Sequence, residues 1–367
     1  MKVLQVLPEL NSGGVERGTL ELGAHLAAHG HQSLVLSGGG KLVSELEAAG
    51  SRHLSLPVGK KSLSTLLLVG QVRALLESEK PDILHLRSRV PAWLLWLAWR
   101  KFKDRPRLVT TVHGFYSVSP WSEIMCRGER VICVSESIRG YVRKNYPKTP
   151  EDRLRVVPRG VDTSRYHFAY RAGNEWRSDF EKEFPETTGK RLLTLPGRLT
   201  RLKGHHDFIG IFKKLADDPA LHGLIVGGAH PRKRDYEAEI RQTVESAGLK
   251  ERITFTGNRN DLQDILSISE LVLSLTRQPE SFGRTTLEAL AMGIPVAGYA
   301  LGGVEEQLRR LCPQGLLPPL DPEKAAPIIR KLLDDPPTVS RDNPFTLERM
   351  LEGTMEVYRE LIQDDRT

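Results

Sequence analysis

Short, nearly continuous apolar runs recur along the chain, separated by longer stretches of helical period. Lys2–Leu7, Ser33–Leu36, Ile83–Leu86, Leu108–Val112 and Val131–Val134 form a first series. Leu192–Leu195, Leu224–Val226, Ile253–Phe255, Leu271–Leu275 and Val296–Tyr299 form a second. Runs without strict apolar–polar alternation predict strands buried on both faces, and helices between them imply parallel sheets with both faces covered. Between about 146 and 190 the periodicity breaks, with Pro147, Pro150, Pro158 and Pro185 among clustered charges, as expected of a boundary. The pattern therefore predicts α/β architecture: two doubly wound parallel-sheet domains, 1–165 and 166–343, facing across a cleft. A last helical stretch, Phe345–Ile362, lies within a terminal segment 344–367.

In such sheets ligands lie off the carboxyl ends of the strands. That rule selects Gly13-Gly14, Arg87-Ser-Arg89, His113-Gly114 and Ser135-Glu136 as one rim in the first half. Two glycines at a strand–helix junction admit a ligand close to backbone N–H groups. Gly13, Gly14 and Gly18 do not keep the dinucleotide G-x-G-x-x-G spacing, and a plain tight turn is equally compatible. In the second half, a helix is expected from Gly283 to Gly293, with Glu280 just before it and Glu288 on its second turn. A helix N-terminus favours an anion, and two carboxylates favour hydroxyl groups. An anion rich in hydroxyls, such as a nucleotide sugar, fits both; an ordinary crossover with two surface glutamates is the alternative. Arg198 and Lys203, in the loop after Leu192–Leu195, suit a diphosphate clamp.

Trp93, Trp96 and Trp99 recur at helical spacing, followed by Arg100, Lys101 and Lys103. Indoles beside cations characterise helices at a membrane surface, yet Leu94, Leu95 and Leu97 also suit a buried crossover helix. Both readings stand on the sequence. His25 and His29 stand four apart, but the glutamate of H-E-x-x-H and a third ligand are missing, so no metal is expected there.

Composition narrows the classes. With 367 residues, 39% hydrophobic and 27% charged, the chain suits a soluble globular protein. No 18-residue apolar run predicts a spanning helix, and the N-terminus does not resemble a signal peptide. Three cysteines, Cys126, Cys133 and Cys312, form no CxxC and are expected as core thiols of a cytoplasmic protein. The net charge of +7 is uneven: 25 Lys+Arg oppose 15 Asp+Glu up to residue 165, and 28 oppose 31 beyond it. The first half is thus expected to meet an anionic partner, such as a membrane surface or a phosphorylated acceptor. No nucleic-acid recognition motif accompanies the basic charge, so nucleic acid is not expected.

The ordered motifs resemble those of GT-B glycosyltransferases of the retaining family 4 type. They are Gly13-Gly14, Val112-His113-Gly114, Val131-Ile-Cys-Val-Ser135-Glu-Ser and Val156-Val-Pro-Arg-Gly160-Val-Asp162. The second half adds Gly197-Arg-Leu…Lys203-Gly204, Val226-Gly-Gly, Phe255-Thr-Gly257, Glu280-Ser-Phe-Gly283…Glu288, Gly293-Ile-Pro295 and Gly302-Gly303. Leu86-Arg-Ser-Arg-Val-Pro-Ala-Trp93 further resembles bacterial members that build lipopolysaccharide or other surface glycans.

The resemblance implies a GT-B fold whose last helix packs back on the first domain, and transfer of a sugar from a nucleoside-diphosphate donor to a glycan or lipid-linked acceptor. It implies that Arg198 and Lys203 hold the diphosphate with backbone N–H groups of Phe282, Gly283, Arg284 and Thr285. Glu280 would meet the sugar, Glu288 the ribose, and Asn258, Arg259 and Leu262 would flank the base. Gly13, Gly14 and His113 would close on the sugar from the first domain. The chain departs from the family at Arg159, commonly Asn, and at Gly114, where many members carry Asp. No Asp-x-Asp metal motif occurs, so no cofactor and no metal are expected. Front-face attack is implied by the resemblance alone. An epimerase or phosphorylase on the same fold, and a non-enzymatic nucleotide- or membrane-binding module, are the alternatives. A place at the inner face of the cytoplasmic membrane would follow from the lipid-linked acceptor.

Overall fold

A computed structural model describes residues 1–11, 13–60, 67–229 and 235–363. It divides into two compact units, Met1–Pro158 with the segment from Glu348 onward, and Arg159–Leu347.

The N-terminal unit holds seven strands: β1 Lys2–Val6, β2 Gln32–Ser37, β3 Arg52–Ser55, β4 Ile83–Leu86, β5 Arg107–Val112, β6 Arg130–Cys133 and β7 Leu154–Val156. They form one parallel sheet in the order β3-β2-β1-β4-β5-β6-β7. Leu4, Leu84 and Leu108 are fully buried in its core with Leu94, Leu95 and Trp99 of the helix Arg89–Trp99. The opposite face carries polar groups under the last helix, Leu347–Gln363. His85 bridges Tyr358 Oη and Thr111 Oγ1, both at 2.6 Å. Glu360 accepts from Nε of Arg130 and Arg155 at 2.9 and 3.0 Å, tying the helix to β6 and β7.

The C-terminal unit is built the same way. Its strands are β8 Arg191–Pro196, β9 Leu221–Val226, β10 Ile253–Gly257, β11 Leu271–Ser274, β12 Val296–Tyr299 and β13 Leu316–Leu317. They are parallel in the order β10-β9-β8-β11-β12-β13. In each sheet the order reverses beside the first strand, between β1 and β4 and between β8 and β11. Loops leaving those two strands diverge to opposite faces and open a crevice for a ligand.

Three strands lack a sequence signal for a physical reason. β3, β7 and β13 are edge strands of two to four residues, and an edge strand needs no long apolar run. The boundary falls at Pro158 rather than at 165, because Val161 N–H donates to Phe345 O at 3.1 Å and Val161 O accepts from Leu347 N–H at 2.8 Å. The proline-broken stretch 146–190 is no linker either. It contains β7 and the helix Asn174–Glu183, whose Phe180 packs on Leu192 and Leu224.

Candidate active site

At the β8/β11 reversal two loops meet. After β8 the chain runs through Gly197 and Arg198 into a short 3₁₀ turn, Arg201–Lys203, and then Gly204 starts the helix His205–Leu215. Gly204 holds φ 74°, and a side chain there would collide with the carbonyl oxygen of Leu275 after β11. Glycine is thus needed for both the left-handed backbone and the close approach. The second loop binds the first directly. Arg277 N–H donates to Leu202 O at 2.7 Å, and Thr276 Oγ1 donates to the same oxygen at 3.2 Å. Beneath them Asp207 accepts twice from Arg277 Nη1, at 2.5 and 2.7 Å, and from Tyr299 Oη at 3.0 Å.

This docking carries Lys203 to Glu280: the Nζ donates to Oε1 in an ion pair. Glu280 also lies against the next helix, Arg284–Ala291. Its Oε2 is 3.5 Å from the position a Cβ on Gly283 would take, and Gly283 caps that helix at φ 91°. A carboxylate thus stands between an ammonium group and a helix N-terminus, an arrangement that stabilises negative charge from two sides. A third element supports it from behind. Gly303 N–H donates to Glu280 O at 2.8 Å, and Gln307 Nε2 donates to Phe282 O at 2.6 Å. Side chains at Gly302 or Gly303 would strike the backbone of Glu280 or Phe282, so the glycine pair permits this contact.

Other predicted residues fall as follows. Arg198 is exposed on the same rim, while Phe282 turns its ring inward against Phe345 and leaves its backbone at the site. Arg284 and Thr285 are half-buried in the first turn, and Glu288 lies 3.9 Å from Arg284 Nε. Asn258 Oδ1 accepts from Gly228 N–H at 3.0 Å, joining the loops after β9 and β10. The guanidinium of Arg259 is engaged structurally: it donates to Asp261 at 2.7 and 2.9 Å and to Glu183 at 2.8 Å. Leu262 packs into two apolar clusters of this unit.

In the N-terminal unit, Gly13 (φ 149°) caps the helix Gly14–Ala28, and both glycines are exposed. His113 follows β5, half-buried, with its N–H donating to Tyr116 Oη at 3.1 Å. Ser135 caps the helix Glu136–Asn145 by accepting from Ile138 N–H at 3.2 Å, a structural duty. Arg87 is buried after β4 and donates to Gln5 Oε1 at 2.5 Å; burial holds its pKa down at about 10.

The tryptophan helix corrects one expectation. Trp99 is 7% exposed and donates from Nε1 to Pro106 O at 2.6 Å, so it belongs to the core. The helix starts at the ligand rim and runs back across the sheet for about 16 Å at 1.5 Å per residue. Its end therefore places Lys101 and Lys103 at the amino ends of the strands, away from the rim, where they line a separate groove. Only Trp93 and Trp96 remain half-buried on the outer face. Trp93 stacks on exposed Trp121 at 5.6 Å, Arg127 stands over both half-buried rings, and Arg100 stands over Trp96 at 5.1 Å. The three cysteines are buried and free; burial pushes the Cys126 and Cys133 thiols up to about 12, so they are poor nucleophiles.

This chain belongs to the GT-B glycosyltransferases of the family 4 type. Residues 12–165 match Glycosyltransferase Family 4, and residues 177–344 match Glycosyl transferases group 1. It is therefore a glycosyltransferase. It is similar to the N-acetyl-alpha-D-glucosaminyl L-malate synthase of Bacillus anthracis, 25% identical over 317 residues, covering 82% of this chain and 79% of that one. It is also similar to the lipopolysaccharide core biosynthesis mannosyltransferase LpsB of Rhizobium meliloti, 26% identical over 61% of this chain and 65% of that one. Among solved structures, a glycosyltransferase from Rickettsia africae superposes with a TM-score of 0.84 at 27% identity, over 98% of each chain. HepE of Anabaena, in complex with UDP-glucose, superposes at 0.75 with 20% identity, over 99% of each chain; this likeness is one of fold.

Proposed function

We propose that the protein moves a sugar, with retention and without a metal, from a nucleoside-diphosphate sugar to a glycan or lipid-linked acceptor in surface-polysaccharide assembly. The Lys203–Glu280 pair at the Gly283 helix end carries this reading. Breaking the anomeric bond leaves negative charge on the diphosphate and positive charge on the sugar. Lys203, Arg198 and the first-turn N–H groups of Phe282 to Thr285 would meet the departing diphosphate, where fixed donors lower the barrier most. Glu280 would then exchange part of its contact with Lys203 for the sugar hydroxyls, and Glu288 would take the ribose. The loop from Asn258 to Leu262 would face the base. Gly13, Gly14 and His113 would close on the sugar from the N-terminal unit, which would also receive the acceptor. The UDP-glucose bound by HepE makes UDP-sugars the first donors to try, and LpsB makes a lipopolysaccharide core the first acceptor.

The test is Lys203→Ala assayed against UDP-, GDP-, ADP-, CDP- and dTDP-sugars, the cognate donor being found by thermal shift. Turnover should fall roughly 100-fold or more, the size seen when one charged oxyanion donor is lost. Wild-type turnover would refute the assignment.

No helix among the described residues is long and apolar enough to cross a membrane. We propose peripheral docking instead, through Trp93, Trp96, Trp121, Arg100 and Arg127, because Trp121 is 49% and Val118 60% exposed beside those cations. Trp121→Ser with Val118→Ser should reduce cosedimentation with anionic liposomes; unchanged binding would reject this surface.

A further inference from the structure

At the amino ends of β4, β5 and β6, on the sheet edge opposite the ligand rim, lies a groove of about 1070 Å³. The end of the helix Val69–Glu79, the 101–107 segment, Glu129 and Ile362 line it. Six cations and four carboxylates are among its walls. Three of those carboxylates are occupied. Glu77 pairs with Arg73 at 3.0 Å, Glu129 with Arg107 at 2.9 Å, and Asp82 accepts from Lys2 N–H at 2.6 Å. Lys80, Lys101, Lys103 and Arg105 have no carboxylate at ion-pair distance among the described residues. Arg105 instead lies 4.2 Å over the Trp99 ring, which fixes its guanidinium while leaving its N–H donors open. Lys80 ends its helix at φ 44°, a left-handed backbone that a lysine adopts only at a cost, and which a glycine would adopt freely.

We propose that this groove binds a phosphate-bearing group of two or more negative charges, at a site separate from the sugar-transfer centre. Six cations against four carboxylates, Asp104 among them, leave this concave surface with an excess of positive charge, which raises the local potential and concentrates polyanions. The volume exceeds what one phosphate needs, so the phosphate would be carried on a larger molecule, either a free phosphorylated metabolite or the headgroup of a lipid. The proposal does not rest on the donor site, since no groove residue lies at the β8/β11 crevice.

The experiment uses the full chain, as wild type, as Lys203→Ala, and as Lys80→Ser with Lys101→Ser and Lys103→Ser. All three groove lysines are exposed, so the triple variant should keep the wild-type melting temperature. Inorganic pyrophosphate is titrated calorimetrically, and vesicles of phosphatidic acid in phosphatidylcholine are tested by flotation. Each lysine lost should weaken binding roughly fivefold. Pyrophosphate binding that survives in Lys203→Ala and fails in the triple variant supports the groove with a free phosphate. Vesicle binding that fails only in the triple variant supports it with a lipid headgroup. Wild-type and triple variant behaving alike toward both probes would overturn the proposal.

Discussion

Replacing Asp207 tests how the donor loop is held. Its carboxylate is 6% exposed and serves two donors, the Arg277 guanidinium and the fully buried Tyr299 hydroxyl. In Asp207→Ala the Tyr299 hydroxyl loses its acceptor inside the protein, which costs about 1–3 kcal/mol. The lost ion pair adds less, about 1 kcal/mol at most, because Arg277 is 44% exposed and water screens it. Their sum, about 1–4 kcal/mol, lowers the melting temperature by roughly 2–16 °C for a unit of this size. Asp207→Asn keeps an acceptor for Tyr299 and loses only the charge, so it should melt within about 3 °C of wild type. Both variants free Arg277, whose N–H fixes Leu202 next to Lys203. The donor KM should therefore rise roughly tenfold even in the stable Asn variant, since a misplaced clamp costs transition-state contact. Calorimetric melts and steady-state kinetics with varied donor read the two effects apart. If Asn destabilises as much as Ala, charge rather than the hydroxyl's missing acceptor dominates and the reasoning fails.

Two further outcomes follow from the same geometry. If Arg198 and Lys203 supply the positive charge at the leaving group, activity should survive excess EDTA; complete loss restored by Mg²⁺ or Mn²⁺ would overturn the metal-independent reading. His205 and His222 are buried, and burial lowers both from 6.5 to about 4. Between pH 6.5 and 4 the unfolded chain takes up protons that the folded one refuses, so stability is complete above 6.5 and lost as pH falls through 4. His222→Gln can still reach Thr254 Oγ1, as the imidazole does at 2.9 Å, and should flatten the fall in melting temperature between pH 7 and 5; an unchanged slope would show that other groups carry it.

Ten of the strands and the helices at the two ligand loops were legible in the chain, because burial on both faces and glycine at helix ends are local demands. The Gly13-Gly14 and Gly283 positions were legible for the same reason, as glycines at helix starts, whereas Gly302-Gly303 is demanded by the backbone of Glu280 and Phe282, which only the fold brings against it. Strand order was not local. Only folding placed β8 beside β11, and so brought Lys203 to Glu280 across 77 residues and Asp207 to Arg277 across 70. The pairing of Arg259 with Glu183, 76 residues away, was equally beyond the sequence. Trp99, Lys101 and Lys103 looked like one membrane-facing cluster with Trp93. The direction of a single helix parts them: side-chain period decides which face a residue takes, whereas the end of the sheet it reaches depends on how that helix crosses back over strands it does not adjoin in sequence.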